Sequence, residues 1–275
     1  MDNKVNVYSI ETGTRTAREA LTMQGGSWRK RVGVIYSAIL VEHPKGNILF
    51  DTGLGRKIDQ QYAQDMPKWK YPLMRYGNVN AARDQLKDRS IERIFLSHVH
   101  WDHASGLPDF PDAEVWVTQA EKNYLGNYIG NNPGVLRASV LPSQFTDTVV
   151  NWNEYSFADK PHLIFCESYD VFNDGTVVVV PLPGHTPGSV GMFVHPDGVA
   201  SEGVFFCGDT VWRKDAIKKH KNKFWLARKV VDHDPNELAH SMEMLKLLLS
   251  EYPGIDIVPA HDKSAHQKYL LPSQG

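Results

Sequence analysis

The stretch His98-Val99-His100-Trp101-Asp102-His103 packs three imidazoles and a carboxylate into six residues, directly after the apolar run Ile91-Glu92-Arg93-Ile94-Phe95-Leu96. Imidazole and carboxylate, with thiolate, are the groups zinc prefers, and they also suit iron and manganese. The spacing says more than the count. In a loop leaving a strand, His98 and His100 can turn toward one cation while Asp102 and His103 reach a second. A helical zinc motif would need histidines at i and i+4, which His98 and His103 do not supply. Four adjacent ligand groups desolvated with nothing to bind would be costly. The fold must therefore deliver a strand end to a place where cations sit.

The rest of the chain repeats that arrangement. Val32 to Leu40 is rich in β-branched and apolar residues and reads as a buried strand. A turn at His43-Pro44-Lys45-Gly46 leads into a second strand, Asn47 to Phe50, a hairpin signal that ends in Asp51-Thr52-Gly53. Residues 54 to 85, with Trp69, Tyr71 and Tyr76, read as an excursion with helical pieces, closing in a helix over Asn80 to Lys87. Ala113 to Val117 alternates like a strand, and Gln119 to Tyr128 suits a helix. Asn131 to Asp159 shows no period and is long enough for a binding loop. Thr176 to Val180 is the strongest strand, followed by Gly184-His185-Thr186-Pro187-Gly188, and Val204 to Cys207 delivers Gly208-Asp209-Thr210. Asp234-Pro235-Asn236-Glu237 opens a helix with a cap, an N1 proline and an acidic third residue. Its apolar stripe is Leu238, Met242, Leu245 and Leu249, and Pro253-Gly254 stops it. Ile255 to Val258 is the last strand, before Pro259-Ala260-His261-Asp262.

Four apolar strands thus each run into ligand-type side chains: His98/His100/Asp102/His103, His185, Asp209 and His261. Sites in sheets with αβ units gather beyond strand ends, where loops converge. The hydrophobic share of 41%, the charged share of 23% and a formal charge of −2 are those of an ordinary globular protein and argue against a nucleic-acid binder. No linker or low-complexity segment divides the chain, so one domain over residues 1–275 is expected. The two cysteines, Cys166 and Cys207, suggest reduced, buried thiols rather than disulfides. Met1 to Tyr8 shows no basic region followed by an apolar core, and no apolar run approaches a membrane span. A cytoplasmic location with no membrane partner is the expectation; oligomeric state is not legible.

The set His98-x-His100-x-Asp102-His103, His185, Asp209 and His261 resembles the metallo-β-lactamase superfamily, over nearly the whole chain. That resemblance implies an α/β fold, a four-layer αβ/βα sandwich with a dinuclear metal site at the sheet edges. It implies that His98, His100 and His185 bind one divalent ion, that Asp102, His103 and His261 bind another, and that Asp209 bridges them. Zinc is the first expectation, with manganese or iron also suited. Asp51 matches an early Asp-Thr-Gly turn whose carboxylate supports the site from behind the ligands. Within the superfamily, the surroundings of Asp51, the Phe110 to Val115 segment, the Asp234 helix start and Ala260-His261-Asp262 are similar to the N-acyl-homoserine lactonase branch, associated with quorum quenching. The implied reaction is hydrolysis of a lactone or related cyclic ester. A hydroxide bridging two ions roughly 3.5–4 Å apart attacks the carbonyl, and catalytic Asp102 holds the proton for the leaving oxygen. A thioesterase of glyoxalase II type and a phosphoester or organophosphate hydrolase are the alternatives; a nuclease fits the net charge poorly.

Two positions depart from the lactonase pattern: Trp212 stands where many such enzymes carry a tyrosine, and Ala104-Ser105-Gly106 replaces Ala-Gly-Gly. Trp212 offers only an indole N–H. Trp101 and Trp212 are candidates to line the substrate site, with core packing an equal alternative for Trp101; Trp28, Trp69, Trp152 and Trp225 read first as ordinary packing and second as parts of an apolar pocket. The basic run from Arg213 to Lys229 reads first as a solvated helix face and second as a device for steering an anionic substrate. His43, His162, His195, His220, His233, His240 and His266 lack a paired motif and read as structural or solvated.

Overall fold

Strands whose two faces are both covered need no polar alternation, and the apolar runs of this chain become such strands. The computed structural model describes residues 4–66, 68, 75–129, 139–146 and 149–272. Its strands are β1 (Asn6–Arg18), β2 (Arg31–Glu42), β3 (Ile48–Phe50), β4 (Arg93–Phe95), β5 (Glu114–Thr118), β6 (Asn151–Tyr155), β7 (Tyr169–Asp170), β8 (Val177–Pro181), β9 (Val190–Val194), β10 (Gly203–Phe206) and β11 (Ile255–Val258). The helices are α1 (Glu19–Thr22), α2 (Ile58–Asp65), α3 (Ala82–Leu86), α4 (Trp101–Ala104), α5 (Gln119–Gly126), α6 (Ser143–Thr146), α7 (Lys214–Lys219), α8 (Trp225–Val231), α9 (Pro235–Glu251) and α10 (Lys263–His266).

One sheet runs β1-β2-β3-β4-β5-β6 and the other β11-β10-β9-β8-β7. Alternate residues of each strand feed different cores. Ile39, Val41, Ile48, Phe50 and Phe95 from the first sheet meet Val177, Val179, Met192, Val204, Phe206 and Val258 from the second. The opposite faces of the same strands, Leu40, Leu49 and Ile94, pack under Leu86, Leu107 and Leu125. Val178, Val180, Phe205 and Ile257 pack under Ile217, Leu245 and Leu248 of α7 and α9. Three apolar interfaces separate four layers, helix on sheet on sheet on helix, as the resemblance implied.

Strand direction then places the site. β3, β4 and β5 are parallel neighbours, as are β10 and β11, and β8 runs with β10 because both are antiparallel to β9. Their C-terminal ends open at one edge. There Val190 N donates to Ser97 O at 3.0 Å, joining the two sheets.

Several elements differ from the sequence reading. β1, a strand of 13 residues paired along its length with β2, was not anticipated, nor was β9. Part of the stretch read as irregular, Asn131 to Asp159, is β6; residues 131–138, 147 and 148 lie outside the described residues. So do Trp69 and Tyr71. The inward line of α9 is Leu238, Ser241, Leu245 and Leu248, with Met242 and Leu249 beside it. Cys207 is buried, but Cys166 is exposed, against expectation. Among the described residues, no helix is long and apolar enough to cross a membrane.

Candidate metal centre

The loop after β4 is extended through His100, which then starts the single turn α4 carrying Asp102 and His103. Extended backbone sends His98 and His100 to the same side, and the turn brings Asp102 and His103 round beside them. The loops after β8, β10 and β11 add His185, Asp209 and His261. The ligand atoms of His98, His100 and His185 lie within 4.8 Å of one another, as do those of His98, His103 and Asp209, and those of Asp102, His103 and His261. Every sequence-predicted ligand is therefore in one place. His261 Nε2 is 3.1 Å from Asp209 Oδ1 and 3.3 Å from Asp102 Oδ2, while His185 Nε2 is 3.6 Å from Asp209 Oδ2.

The chemistry of the donor set fits divalent cations. Nε2 of His98, His100, His103 and His185 is in each case buried without a hydrogen-bond partner, as is Asp209 Oδ1. Buried polar atoms are nearly always paired, so such a cluster signals an interaction of another kind. The Nδ1 atoms of His98, His103, His185 and His261 are held from behind. Ser97 Oγ lies 2.9 Å from His98 Nδ1, Asp51 Oδ2 2.7 Å from His103 Nδ1, Asp232 Oδ1 2.7 Å from His185 Nδ1, and Ile35 O 2.9 Å from His261 Nδ1. Anchoring Nδ1 in this way aims Nε2 inward and raises its basicity. Asp51 also accepts from Ser97 N at 2.6 Å and Ser97 Oγ at 2.7 Å, from a backbone at φ 59°.

Burial among other imidazoles holds His98 and His100 well below the usual histidine range, so both are neutral donors. Burial, then the nearby Lys223 ammonium, lowers His185. His103 and His261 go the other way: burial opposes their charge, but Asp51 and Asp209 outweigh it for His103, and Asp209 and Asp102 do so for His261. Burial opposes the charge of Asp209 as well, and His261 and His103 nonetheless hold its carboxyl well below the carboxylate range. The carboxylates around His103 and His261 thus draw positive charge into the centre, charge that divalent cations would supply.

Three supporting residues carry no local sequence signal. Glu121 on α5 accepts from Val99 N (2.8 Å), Thr186 Oγ1 (2.7 Å) and Gly188 N (3.1 Å), joining the loops after β4 and β8. Burial pushes its carboxyl up to about 7 despite those bonds. Asp232 and Lys223 lie behind His185, with Lys223 Nζ 2.5 Å from Asp232 Oδ1. The basic run is therefore not solely a solvated face: Lys218, Lys219, Lys221 and Lys229 are exposed, but the Lys223 side chain is 0% exposed.

Above the centre is a cavity of about 240 Å³, its floor formed by His100, Asp102, His185, Asp209 and His261. One wall is a face of the β1–β2 ribbon, Ala17, Val32, Val34 and Tyr36; facing it are Phe224, Leu226 and Val230 of α8 and its lead-in. Trp101 lines the cavity and is also core, packed among Tyr36, Tyr62 and Tyr76. Trp212 lines it too, but its indole N–H donates to Asp209 Oδ2 at 2.8 Å, so that donor already has an acceptor. Trp28 and Trp225 are exposed, and Trp152 packs against Phe145 away from the cavity.

Residues 31–268 match the model of the metallo-beta-lactamase superfamily. The chain is 25% identical over 252 residues to a probable metallo-hydrolase of Mycobacterium tuberculosis, covering 86% of this chain and 77% of that one. It is 24% identical over 243 residues to the N-acyl homoserine lactonase AttM of Azorhizobium caulinodans, covering 82% and 81%. A mutant of AiiA from B. thuringiensis, solved with N-decanoyl-L-homoserine at its active site, superposes with a TM-score of 0.67 at 19% identity over 98% of this chain and 97% of that one. With its fold, its inward-facing imidazoles and this match over most of its length, the chain belongs to the metallo-beta-lactamase superfamily and is a metal-dependent hydrolase.

Proposed function

We propose that the protein opens a lactone or related cyclic ester of a small, partly apolar molecule, and that residues 1–275 act as one domain. In this reading His98, His100 and His185 would hold one divalent ion, Asp102, His103 and His261 would hold a second, and Asp209 would serve both. The observation that carries the reading is the set of buried, unpartnered imidazole nitrogens on His98, His100, His103 and His185, of which His100 and His185 lie in the floor of a mainly apolar cavity. The similarity to N-acyl homoserine lactonases supports the lactone as first substrate. Bound divalent ions of this kind lower the pKa of water to about 7 and polarise a carbonyl.

The chain's own residues do the rest. The apolar walls exclude water and orient the acyl or ring carbons. Trp212 fixes the plane of the Asp209 carboxylate through its N–H. Asp102 is the least buried of the proposed ligands and lines the cavity, 3.3 Å from His261 Nε2. Asp102 takes the proton released by the attacking water and returns it to the ring oxygen as the C–O bond breaks. Substituting Asp102→Ala abolishes turnover in this account; near-wild-type activity with metal retained would refute that role.

The deciding experiment assays lactones of graded acyl length, thioesters, p-nitrophenyl phosphodiesters and single-stranded RNA, with zinc, manganese or iron restored. Lactone turnover is the expected result. Strong phosphodiester turnover with lactones untouched overturns the reading.

A further inference from the structure

Helix α8 walls the cavity without a core of its own. None of its seven residues is buried, and so short a helix is marginal by itself. Leu226, Ala227, Val230 and Val231 face the cavity, while Trp225 and Lys229 are exposed on the outside. What holds the helix lies at its two ends. Lys223 precedes it, Asp232 follows it directly, and the two meet with Nζ and Oδ1 2.5 Å apart, their side chains 0% and 1% exposed. The same Oδ1 is 2.7 Å from His185 Nδ1, and Lys223 Nζ is 3.1 Å from that nitrogen. Backbone bonds fasten both flanks: His233 N donates to Gly184 O and His185 O, and Gln24 N donates to Asn222 O at 2.7 Å.

A carboxylate alone suffices to orient a ligating imidazole. A wholly buried ammonium adds desolvation cost and needs its own justification. Here it closes the segment from Lys223 to Asp232 into a loop whose ends meet against His185. We propose that Lys223 is a positioning residue that clasps α8 to His185, so that the apolar wall of the cavity and the His185 corner of the metal centre become ordered together. The proposal rests on reading His185 as a metal ligand. By linkage, an apolar substrate group packed on Leu226 and Val230 then strengthens ion retention, and the ion strengthens the hold on that group by the same factor. Preference for a long apolar group is set in part by a lysine that does not line the cavity.

The test compares wild type with Lys223→Met, which keeps the length of the side chain and removes its charge. Hydrogen exchange of the 225–231 amides in metal-free protein is expected to rise about tenfold or more in the variant, with the strands unchanged. Zinc held against a chelator is expected to weaken about 10–100-fold. At saturating zinc, KM for a decanoyl lactone is expected to rise about tenfold, while KM for the acetyl analogue moves less than twofold. Unchanged exchange in α8, or an equal rise in both KM values, overturns the proposal. If Lys223→Met does not fold, the cavity-facing pair Leu226→Ala with Val230→Ala decides instead. Decanoate must then tighten zinc retention relative to acetate in wild type and lose that advantage in the pair; equal effects in both proteins overturn the coupling. A wild type that holds no divalent ion would sink the metal reading of His185, and exchange in the metal-free proteins would still decide the clasp.

Discussion

Replacing Asp51 with alanine removes three hydrogen bonds at once, from Ser97 N (2.6 Å), Ser97 Oγ (2.7 Å) and His103 Nδ1 (2.7 Å). Bonds to a charged acceptor contribute about 1.5–3 kcal/mol each, and they do not add fully, because Ser97 Oγ also lies 2.9 Å from His98 Nδ1. Alanine at φ 59° adds about 1 kcal/mol of backbone strain that aspartate and asparagine bear more readily. Asp51→Ala should therefore cost the metal-free protein about 4–6 kcal/mol, a large part of the stability of a typical domain. Asp51→Asn keeps the shape and the backbone preference and loses the charge, so its cost should be about 1–2 kcal/mol. Urea denaturation of the metal-free proteins measures both, and chelator competition should show zinc held about 10–100-fold less tightly in the alanine variant. Alanine within about 1 kcal/mol of wild type, or asparagine as damaging as alanine, would refute the reasoning.

Three further outcomes follow from the same geometry. Glu121→Gln should cost about 1–3 kcal/mol, since an amide N–H₂ must face Val99 N–H or the donors Thr186 and Gly188; a stability within about 0.5 kcal/mol of wild type in urea would contradict this. Gly184→Ala should cost about 2–4 kcal/mol, because φ there is +119° and a Cβ would run into the Leu238 backbone at the start of α9; a silent substitution in thermal melts would show the junction to be loose. His266 is bonded to Ser9 Oγ and Pro259 O, and burial depresses it to about 4. Folded, it stays neutral while the unfolded chain takes up a proton, so stability falls as pH drops from about 6.5 toward 4, by on the order of 3 kcal/mol. Urea midpoints of metal-free wild type and His266→Gln over that range should show the shallower slope in the variant.

What the sequence made legible was whatever is local. β-branched runs with both faces buried announce themselves, so β2, β8, β10 and β11 were readable, and the last three each lead into a candidate ligand, His185, Asp209 and His261. Asp234 caps α9 as its position suggested, accepting from Asn236 N and Glu237 N. β1 escaped because Thr12, Gly13, Thr14, Arg15 and Thr16 dilute its apolar alternation, and its register shifts between Glu11 and Gly13. β9 has Gly191 as its second residue, where Phe205 packs so closely that no side chain fits. Lys223 looked like its basic neighbours, because only the tertiary fold folds that one lysine inward onto Asp232. Trp212 could be flagged as a departure, but not that its N–H turns to Asp209 rather than to the open cavity.

The central claim concerns the gathered imidazoles, and metal content tests it most directly. Protein purified without chelator, reconstituted with zinc, desalted and measured by plasma mass spectrometry should hold two ions per chain. His185→Ala and His261→Ala should each lower that number. A wild-type protein holding no stoichiometric ion after reconstitution, or one whose content is indifferent to both substitutions, would contradict the account.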